Sequence, residues 1–407
     1  MNGLNMEKID IILVINSGSS SLKFTLYNIE TETKLASGLV ERIGADNANM
    51  VYRKGDGAKE EQLVAAPDHS AALRLVTEAL VDPAKGVIKS LDEVDAIGHR
   101  VLHGGEIFKS STLVDADVMA QLKKLVPLGP LHMPPNIGGI EACEKIFPGL
   151  PNVAVFDTAF HQTMPKSACH YAIPEEYYQK YGIRKYGFHG TSHHFVTLAT
   201  AEYLGKKPED LKIITCHLGN GSSIAAVKYG KVLDTTMGLT PLAGVVMGTR
   251  SGDLDPAVVF TLLREGMSVD EVDNLLNKKS GLLGVGGVNS NDMRDIISNA
   301  EKGVESAKLA LDMWTHRLVF YVGAYYALLG GADAIVFTGG IGENSAAARA
   351  TLIEQFAAIG CDIDPELNAT LRGPCTISKP DSKVTALIIP TDEELMIAKE
   401  TKAVMSK

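Results

Sequence analysis

Two short segments rich in glycine and serine have the residue types that could bind a polyphosphate. The first, NSGSSSLK at 16–23, follows the apolar run 11–15, and the second, HLGNGSS at 217–223, follows the largely apolar run 211–216. Glycine lets backbone N–H groups converge on an anion, and serine hydroxyls add further donors. One such segment alone could be an ordinary hairpin turn, but two in matching contexts indicate a duplicated phosphate-binding arrangement.

The residues after the first turn indicate a strand rather than a helix. Leu22, Phe24 and Leu26 alternate with other side chains, and this period of two is typical of strands. A P-loop or a dinucleotide-binding turn would open into a helix, and the GxxxxGK[ST] spacing is absent. We therefore expect phosphate-binding hairpins, and dinucleotide binding is disfavoured.

Two arginines lie in turns where they could hold a negatively charged group. Arg100 lies at the end of an apolar strand in HRVLHGG at 99–105, and Arg250 lies between glycines in MGTRSGD at 247–253. A guanidinium binds a carboxylate or a phosphate in a bidentate fashion. Together the two could clamp an anionic transition state, although Arg100 could instead be a structural ion-pair partner and Arg250 part of a surface loop.

An acid and a histidine-rich segment add candidates for catalysis. Asp157 follows an apolar strand in VFDTAFH, where it is either an acid at a cleft between domains or a helix N-cap. His189 and His193 have the i,i+4 spacing of zinc ligands, but HExxH is absent, and Thr191 or Ser192 is expected to cap a helix. We favour His189 as a donor to phosphoryl oxygens.

Two further motifs follow apolar strands near the C-terminus. In TDEE at 391–394, Thr391 and Glu394 fit a capping box, which leaves Glu393 available to hold Mg²⁺. In TGGIGEN at 338–344, three glycines before a helix starting near Ser345 could let a flat group, such as an adenosine, lie against the backbone.

The elements that position these motifs form a repeated series. Strands are expected at 11–15, 22–27, 34–40, 94–102 and 153–156, then again at 211–216, 222–229, 231–234, 334–337 and 384–389. Helices are expected at 68–81, 115–125, 134–146, 256–265, 269–278 and 303–329, followed by a final helix. The repeat is one of topology, three strands and then alternating helices and strands, and 407 residues suggest two domains.

Composition limits the partners. The chain has a net charge of -10 and no basic stripe, so nucleic acid is not an expected partner. Five scattered cysteines without a CxxC pair fit a reducing cytoplasm. The segment 318–329 is too short to span a membrane and is expected to be a buried helix. The N-terminus does not look like a signal peptide, and either Met1 or Met6 could be the start.

These motifs together resemble those of the acetate kinase family along nearly the whole chain. The matching segments, in order, are NSGSSSLK, GHRVLHGGE, VFDTAFHQTMP, YGFHGTSH, HLGNGSS, MGLTPLAGVVMGTRSGDLDP, FTGGIGEN and PTDEEL. The resemblance implies an α/β fold of two domains with a duplicated βββαβαβα core, of the ribonuclease H-like, actin-type ATPase kind. It also implies the reversible reaction of ATP with acetate to give ADP and acetyl phosphate.

The resemblance also implies residue roles. The catalytic residues would be Asp157, His189 and Arg250. The acetate-binding residues would be Arg100, Leu102, Leu131, Phe188 and Pro241. The nucleotide-binding residues would be Lys23, His217, Leu218, Gly219, Asn220, Gly221, Asp292, Met293, Arg294, Gly340, Ile341, Gly342, Glu343 and Asn344. The ligands of Mg²⁺, or of Mn²⁺, would be Asn16 and Glu393. Asp392 is a departure, because the family often has Asn there.

The same resemblance predicts a cytoplasmic homodimer that binds no membrane, with an N-terminal domain at 1–159 plus 395–407, a nucleotide-binding domain at 160–394, and a hinge near Asp157. The main rival is a propionate or butyrate kinase of the same fold, although bulk at Leu102 should disfavour longer acids. A chaperone would need a further peptide-binding domain after Glu394, and a sugar kinase would need a polar sugar pocket. Since acetate is already ionised at pH 7, we expect Asp157 to orient Arg100 or a metal-bound water rather than to act as a base.

Overall fold

The computed structural model describes residues 9–407, so both possible starts, Met1 and Met6, lie outside the described residues. The described chain divides into two compact units. Unit 1 contains the residues up to Ala159 together with Asp392–Lys407, and unit 2 is Phe160–Thr391. The second boundary thus falls between Thr391 and Asp392, three residues before the one expected from the sequence.

Unit 1 is built on one mixed sheet of eight strands, in the order β5-β4-β3-β2-β1-β6-β8-β7. The strands are β1 Ile11–Ser17, β2 Ser21–Asn28, β3 Thr33–Glu41, β4 Asn49–Lys54, β5 Lys59–Leu63, β6 Ala96–Val101, β7 Thr112–Leu113 and β8 Asn152–Phe156. The helices are α1 His69–Val81, α2 Ala116–Lys124, α3 Met133–Ile146 and the C-terminal helix Glu393–Met405.

The two faces of this sheet form two separate apolar cores. Leu22, Phe24 and Leu26 of β2 pack with residues of α1 and α3 on one face, as the alternation predicts. Tyr27, on the other face of β2, packs with Ile397 of the C-terminal helix. The return of the last helix to this face places residues 393–405 in unit 1.

Unit 2 has a six-stranded sheet in the order β11-β10-β9-β12-β14-β13. Its strands are β9 Lys212–Leu218, β10 Ser222–Lys228, β11 Lys231–Thr235, β12 Ala334–Thr338, β13 Cys375–Thr376 and β14 Thr385–Ile388. Its helices are α4 Lys166–Cys169, α5 Glu175–Tyr181, α6 Gly190–Tyr203, α7 Pro256–Arg264, α8 Val269–Lys278, α9 Gly281–Gly286, α10 Met293–Glu301, α11 Glu305–Leu329, α12 Gly339–Asn344, α13 Ala346–Ala350, α14 Ile353–Ala357 and α15 Pro365–Thr370.

The predicted repeat of topology is confirmed. The order β3-β2-β1-β6-β8 in unit 1 corresponds to β11-β10-β9-β12-β14 in unit 2, with antiparallel pairing among the first three strands and parallel pairing afterwards. Both glycine-serine segments are hairpin turns, joining β1 to β2 and β9 to β10. Strands β4 and β5, which extend the first sheet, were not expected.

Two local predictions about helix caps are wrong. The last helix is capped by Asp392, whose side chain accepts the Leu395 N–H, so Thr391 and Glu394 do not form a capping box. Helix α6 begins at Gly190 with His189 at its N-cap, two or three residues before the expected cap. The helix expected near Ser345 is present as α13, which Ser345 caps. The glycine-rich segment before it is also helical and forms the short helix α12, which Gly339 enters with a φ of +76° that favours glycine.

The long apolar helix α11 is buried on one side only. Trp314, Leu318 and Val322 lie in the core, whereas Phe320 and Leu328 are each 55 % exposed. The expectation of a buried helix at 318–329 therefore holds for one side of the helix only. No helix within residues 9–407 is long and apolar enough to cross a membrane.

Candidate active site

In unit 1 the ends of two parallel strands bring Arg100 and Asp157 together. Strands β6 and β8 pair in parallel, with Arg100 opposite Val155, and Asp157 follows directly after β8. Arg100 donates from Nη2 to Asp157 Oδ2 at 2.5 Å and from Nε to Oδ1 at 3.3 Å. Asp157 is fully buried, whereas the Arg100 side chain is 27 % exposed. A buried carboxylate thus orients a guanidinium that is still partly accessible.

Acidic and basic side chains surround Glu393, the first residue of the C-terminal helix. Burial raises the pKa of its carboxyl to about 7, and the carboxylates of Asp157 and Glu394 add to this effect, against the opposing charges of Arg100 and Lys23. Lys23 forms an ion pair with Glu394. Asn16 of β1 lies directly opposite Lys23 in the antiparallel register, so the predicted metal ligands and Lys23 belong to one region of unit 1.

These residues fit the requirements of a magnesium site. Mg²⁺ takes few protein ligands, commonly one or two carboxylates, and completes its shell with water and substrate phosphates. Glu393 is a carboxylate that burial and like charges destabilise when ionised, and a divalent cation would favour that ionised form. Among residues 9–407 there is no group of three or more His, Cys, Asp or Glu side chains that could hold a metal ion. Mg²⁺ does not require such a group, because water and phosphate oxygens supply most of its ligands.

Of the four apolar residues expected at the acceptor, Leu102 directly follows β6 in unit 1. Leu102 is 8 % exposed, and a Cβ added at Gly129 would lie 3.0 Å from its Cδ2 atom. Leu131, two residues beyond Gly129, is 66 % exposed in the described chain. The other two predicted acceptor residues belong to unit 2, where Phe188 is buried and Pro241 is partly buried.

In unit 2 the second hairpin brings His189, Arg250 and Gly221 to one point. A Cβ added at Gly221 would lie 3.4 Å from Arg250 Nη1 and 3.5 Å from His189 Nε2. His189 has a left-handed backbone, with φ +57°, and its Nδ1 atom lies 2.9 Å from the Ser223 hydroxyl. Burial lowers the pKa of Arg250, and a guanidinium still stays charged at neutral pH. Two nitrogen donors therefore converge beside the second phosphate turn.

A network of imidazole and hydroxyl groups holds this turn. The Ser223 hydroxyl also lies 2.7 Å from His193 Nε2, and His193 Nδ1 lies 2.7 Å from Thr215. His217 stacks on His189 with ring centroids 4.3 Å apart, and its Nδ1 lies 2.7 Å from Ser192. His193, expected as a possible zinc ligand with His189, is instead tied to two hydroxyl groups, and burial lowers its pKa well below the usual value.

A cavity of about 510 Å³ opens beside the same turn. Its lining includes eight residues predicted to bind the nucleotide, which are Gly219, Asn220, Asp292, Met293, Arg294, Gly340, Ile341 and Asn344. Asn291 and Ser345 also line it, and neither was predicted. The cavity therefore joins three segments that are distant in sequence, and its size suits a nucleoside.

Several predicted nucleotide-binding residues lie outside the lining of this cavity. Leu218 is fully buried in the core of unit 2. Glu343 instead accepts hydrogen bonds from the backbone N–H groups of Gly339 and Thr391, at 2.8 and 3.1 Å. These two hydrogen bonds connect the start of α12 to Thr391, at the end of unit 2.

Two buried polar residues that sequence reasoning missed support these sites. Asn136 donates to the Ser17 carbonyl at 2.7 Å and accepts the Leu102 N–H at 3.0 Å, so it joins the first turn to the end of β6. Arg349 is 1 % exposed, and it donates to the carbonyls of Gly342 and Glu343 at the end of α12. The only available sequence signal was a polar residue within a helical segment, which does not identify its hydrogen-bond partner.

The similarity to known proteins extends over nearly the whole chain. The family model of the acetokinase family matches residues 11–399. The acetate kinase of Thermotoga maritima is 54 % identical over 401 residues, covering 97 % of this chain and 99 % of the relative. Crystal structures of a Porphyromonas gingivalis acetate kinase and a Francisella tularensis propionate kinase are each 44 % identical, cover 97 % of this chain and all of their own, and superpose with TM-scores of 0.93 and 0.90.

Proposed function

The chain belongs to the acetokinase family, and from that premise we propose that it transfers the γ-phosphoryl group of ATP directly and in line to acetate, with Mg²⁺, to give ADP and acetyl phosphate. Its enzyme class is a phosphotransferase with a carboxyl group as acceptor, and its fold is the two-domain, duplicated α/β fold of that family. The Arg100–Asp157 ion pair is the observation that carries the proposed mechanism.

The acceptor half of the reaction is assigned to unit 1. Asp157 engages Nε and Nη2 of Arg100, and the Nη1 edge is the part of the guanidinium that would receive the acetate carboxylate. Acetate has a pKa close to that of a glutamate side chain, about 4.3, so it is already a nucleophile at pH 7. A general base is not needed, and both carboxylate oxygens of Asp157 have a role in orienting Arg100.

The donor half is assigned to unit 2. Repulsion between two anions is the main obstacle to the reaction, and electrostatic stabilisation is the main way to overcome it. The convergence of Arg250 Nη1 and His189 Nε2 beside Gly221 supports a role for both in stabilising the transferring phosphoryl group. The 510 Å³ cavity supports the proposed adenosine site, with the turn at 217–223 against the phosphate chain.

A metal ion would be held by Asn16 and Glu393. When bound, Mg²⁺, or Mn²⁺ in its place, would neutralise phosphate charge and align the phosphate chain. Lys23, which pairs with Glu394, would contact a nucleotide phosphate from the same hairpin.

Formation of acetyl phosphate tests the proposal. Purified protein is incubated with ATP, Mg²⁺ and acetate, and the acyl phosphate is trapped as the hydroxamate. We expect product that depends on all three components and a large loss in Arg100→Ala, with Arg53→Ala, a change in β4 of the same sheet, as the matched control. Product formation that was unaffected in Arg100→Ala would contradict the acceptor role.

Propionate is the second candidate acceptor, because a propionate kinase structure superposes with a TM-score of 0.90. One methylene is worth about 1–3 kcal/mol in an apolar pocket, so we expect propionate to be a poorer substrate and not an excluded one. The ratio of kcat/KM for acetate to that for propionate decides between them, and Leu102→Ala should lower that ratio by about tenfold.

The homodimer and the cytoplasmic location belong to the same proposal, and the family resemblance supports both. Helix α7 has no buried residue, and its Phe260 is 54 % exposed, which is consistent with a surface that a second copy would cover. Light scattering of wild type and Phe260→Ser measures the oligomeric state, and a monomeric wild type would exclude the dimer.

A further inference from the structure

The direction of the Glu393 side chain depends on where the C-terminal helix begins. Glu393 is the first residue of that helix, and the first turn of a helix has N–H groups without intrahelical partners. Asp392 meets this need, because its Oδ1 atom accepts the Leu395 N–H at 2.9 Å. The cap therefore fixes the backbone on both sides of Glu393.

A second donor fixes the cap itself. The Tyr27 hydroxyl donates to the same Oδ1 atom of Asp392 at 3.0 Å. Tyr27 is 1 % exposed and packs with Ile397 of the helix. Its ring has little freedom, so the cap is held by a rigid, buried group of strand β2.

The same strand also holds the residue after Glu393. Lys23 and Tyr27 are four residues apart on β2, so their side chains share one face of the sheet. Lys23 pairs with Glu394, and Tyr27 binds Asp392. Strand β2 therefore anchors the residues that flank Glu393 on either side.

Lys34 compensates for the negative charge of Asp392. Its Nζ atom lies 3.6 Å from Asp392 Oδ2 and 5.7 Å from the centroid of the Tyr27 ring. Both carboxylate oxygens of Asp392 are thus engaged within unit 1. An asparagine here would keep the acceptor for Leu395 and Tyr27, and it would not need the lysine.

We propose that Tyr27 and Asp392 are positioning residues that aim the Glu393 carboxylate at the metal ion, with Lys34 offsetting the charge of Asp392. The proposal rests on the metal assignment made above. It goes further in predicting that metal affinity depends on a tyrosine hydroxyl that contacts neither metal nor substrate.

The test measures metal binding directly. Binding of Mn²⁺ to the full chain, without nucleotide, is followed by the loss of the electron paramagnetic resonance signal of the free ion. Tyr27→Phe and Asp392→Ala should each raise the Kd for Mn²⁺ by about tenfold. Asp392→Asn should stay within about twofold of wild type, because it keeps the acceptor.

Two matched variants separate positioning from stability. Tyr52→Phe removes a hydroxyl of strand β4, in the same sheet as Tyr27, that donates a hydrogen bond to the Lys85 carbonyl at 3.1 Å. Asp115→Ala removes the N-cap of α2. Both should lower the melting temperature and leave the Kd for Mn²⁺ unchanged. Normal Mn²⁺ affinity in Tyr27→Phe and Asp392→Ala, combined with weak binding in Glu393→Gln, would overturn the positioning role alone. Equal affinity in wild type and Glu393→Gln, or no binding to wild type, would overturn the metal assignment and the positioning role with it.

Discussion

The two units carry different chemistry at corresponding positions of the same topology. Asn16 and His217 are each the next-to-last residue of the central strand, β1 in unit 1 and β9 in unit 2. Opposite Asn16 lies Lys23, which forms an ion pair with Glu394. Around His217 the neighbours are imidazoles and hydroxyls joined by hydrogen bonds.

This difference shows what the duplicated fold supplies and what it leaves to the turns. Both sheets present parallel strand ends and a glycine-serine hairpin turn, the place where α/β sheets commonly bind ligands. Unit 1 is suited to a small acid and a cation by three charged residues, Arg100 in β6, Asp157 after β8 and Glu393 in the C-terminal helix. Glycines after β9 and β12 leave room in unit 2 for a bulky ligand. The following substitutions test whether the functions are divided in the same way.

The largest loss is expected from Asp157→Asn in unit 1. The change leaves the partly buried Arg100 without its ionic partner, which is costly in a site of low polarity. We expect kcat to fall by about 10²- to 10³-fold, measured by coupled ADP release, with Asp68→Asn, the cap of α1, as the control. Recovery of activity simply by raising the pH would restore Asp157 as a general base and remove its role in orienting Arg100.

The next effect is expected in unit 2, from Arg250→Ala. If Arg250 acts on the transferring phosphoryl group, kcat should fall by about 10²-fold while the KM for acetate changes little. Arg264→Ala, at the end of the exposed helix α7, is the matched control. A rise in the KM for acetate at constant kcat would instead place Arg250 with the acceptor-binding groups and would blur the division between the units.

Much of this division could be predicted from the sequence. The alternation of apolar residues from Leu22 to Leu26 identified the first hairpin, and the repeated order of strands identified the duplicated core. Both could be predicted because they depend on local sequence patterns. The motifs and the family resemblance together predicted eight of the residues around the cavity of unit 2, of which Asp292, Met293 and Arg294 rest on the resemblance alone. The assigned roles of Asp157, His189, Arg250 and the other site residues remain predictions that the substitutions described here would test.

The missed features depend on contacts between residues distant in sequence. The N-cap at Asp392 was not recognised, because Thr391 and Glu394 fit the local pattern of a capping box equally well. The hydrogen bond from the Tyr27 hydroxyl, 365 positions away in the chain, favours Asp392 as the cap. Glu343 was placed with the nucleotide because it lies in a glycine-rich motif, whereas its carboxylate binds the Thr391 N–H. Such contacts between residues distant in sequence leave no periodic pattern from which they could be predicted.

Glu393 provides a smaller, pH-dependent effect that distinguishes the carboxylate site of unit 1 from the histidine and hydroxyl network of unit 2. Folding raises the pKa of its carboxyl to about 7, so folding favours the protonated form. This contribution to stability is fully present below the unfolded value, about 4.3, and is lost as the pH rises through about 7. Between pH 5 and 8, the melting temperature of the metal-free wild type should therefore fall relative to that of Glu393→Gln. Each kcal/mol of lost unfolding free energy corresponds to a fall of about 2–4 °C.

Magnesium should reverse that loss in wild type and leave Glu393→Gln unchanged, as differential scanning fluorimetry with MgCl₂ would show. The His193→Gln change in unit 2 is the comparison, because burial keeps that histidine neutral in the same range, and its response to Mg²⁺ should match wild type. A Mg²⁺ response that persisted in Glu393→Gln would place the cation elsewhere.

The smallest expected effects come from the two buried supports, Asn136 in unit 1 and Arg349 in unit 2. Asn136→Leu breaks the link between Ser17 and Leu102, and Arg349→Lys weakens the hydrogen bonds to the end of α12. Each loss is worth about 1 kcal/mol, or about fivefold in affinity. Asn136→Leu should raise the KM for acetate and leave the Kd for ADP unchanged, whereas Arg349→Lys should do the reverse. Asn136 contacts only the site in unit 1, and Arg349 contacts only the site in unit 2. A variant that weakened the binding of acetate and of ADP equally would therefore show that the two units do not bind these ligands separately.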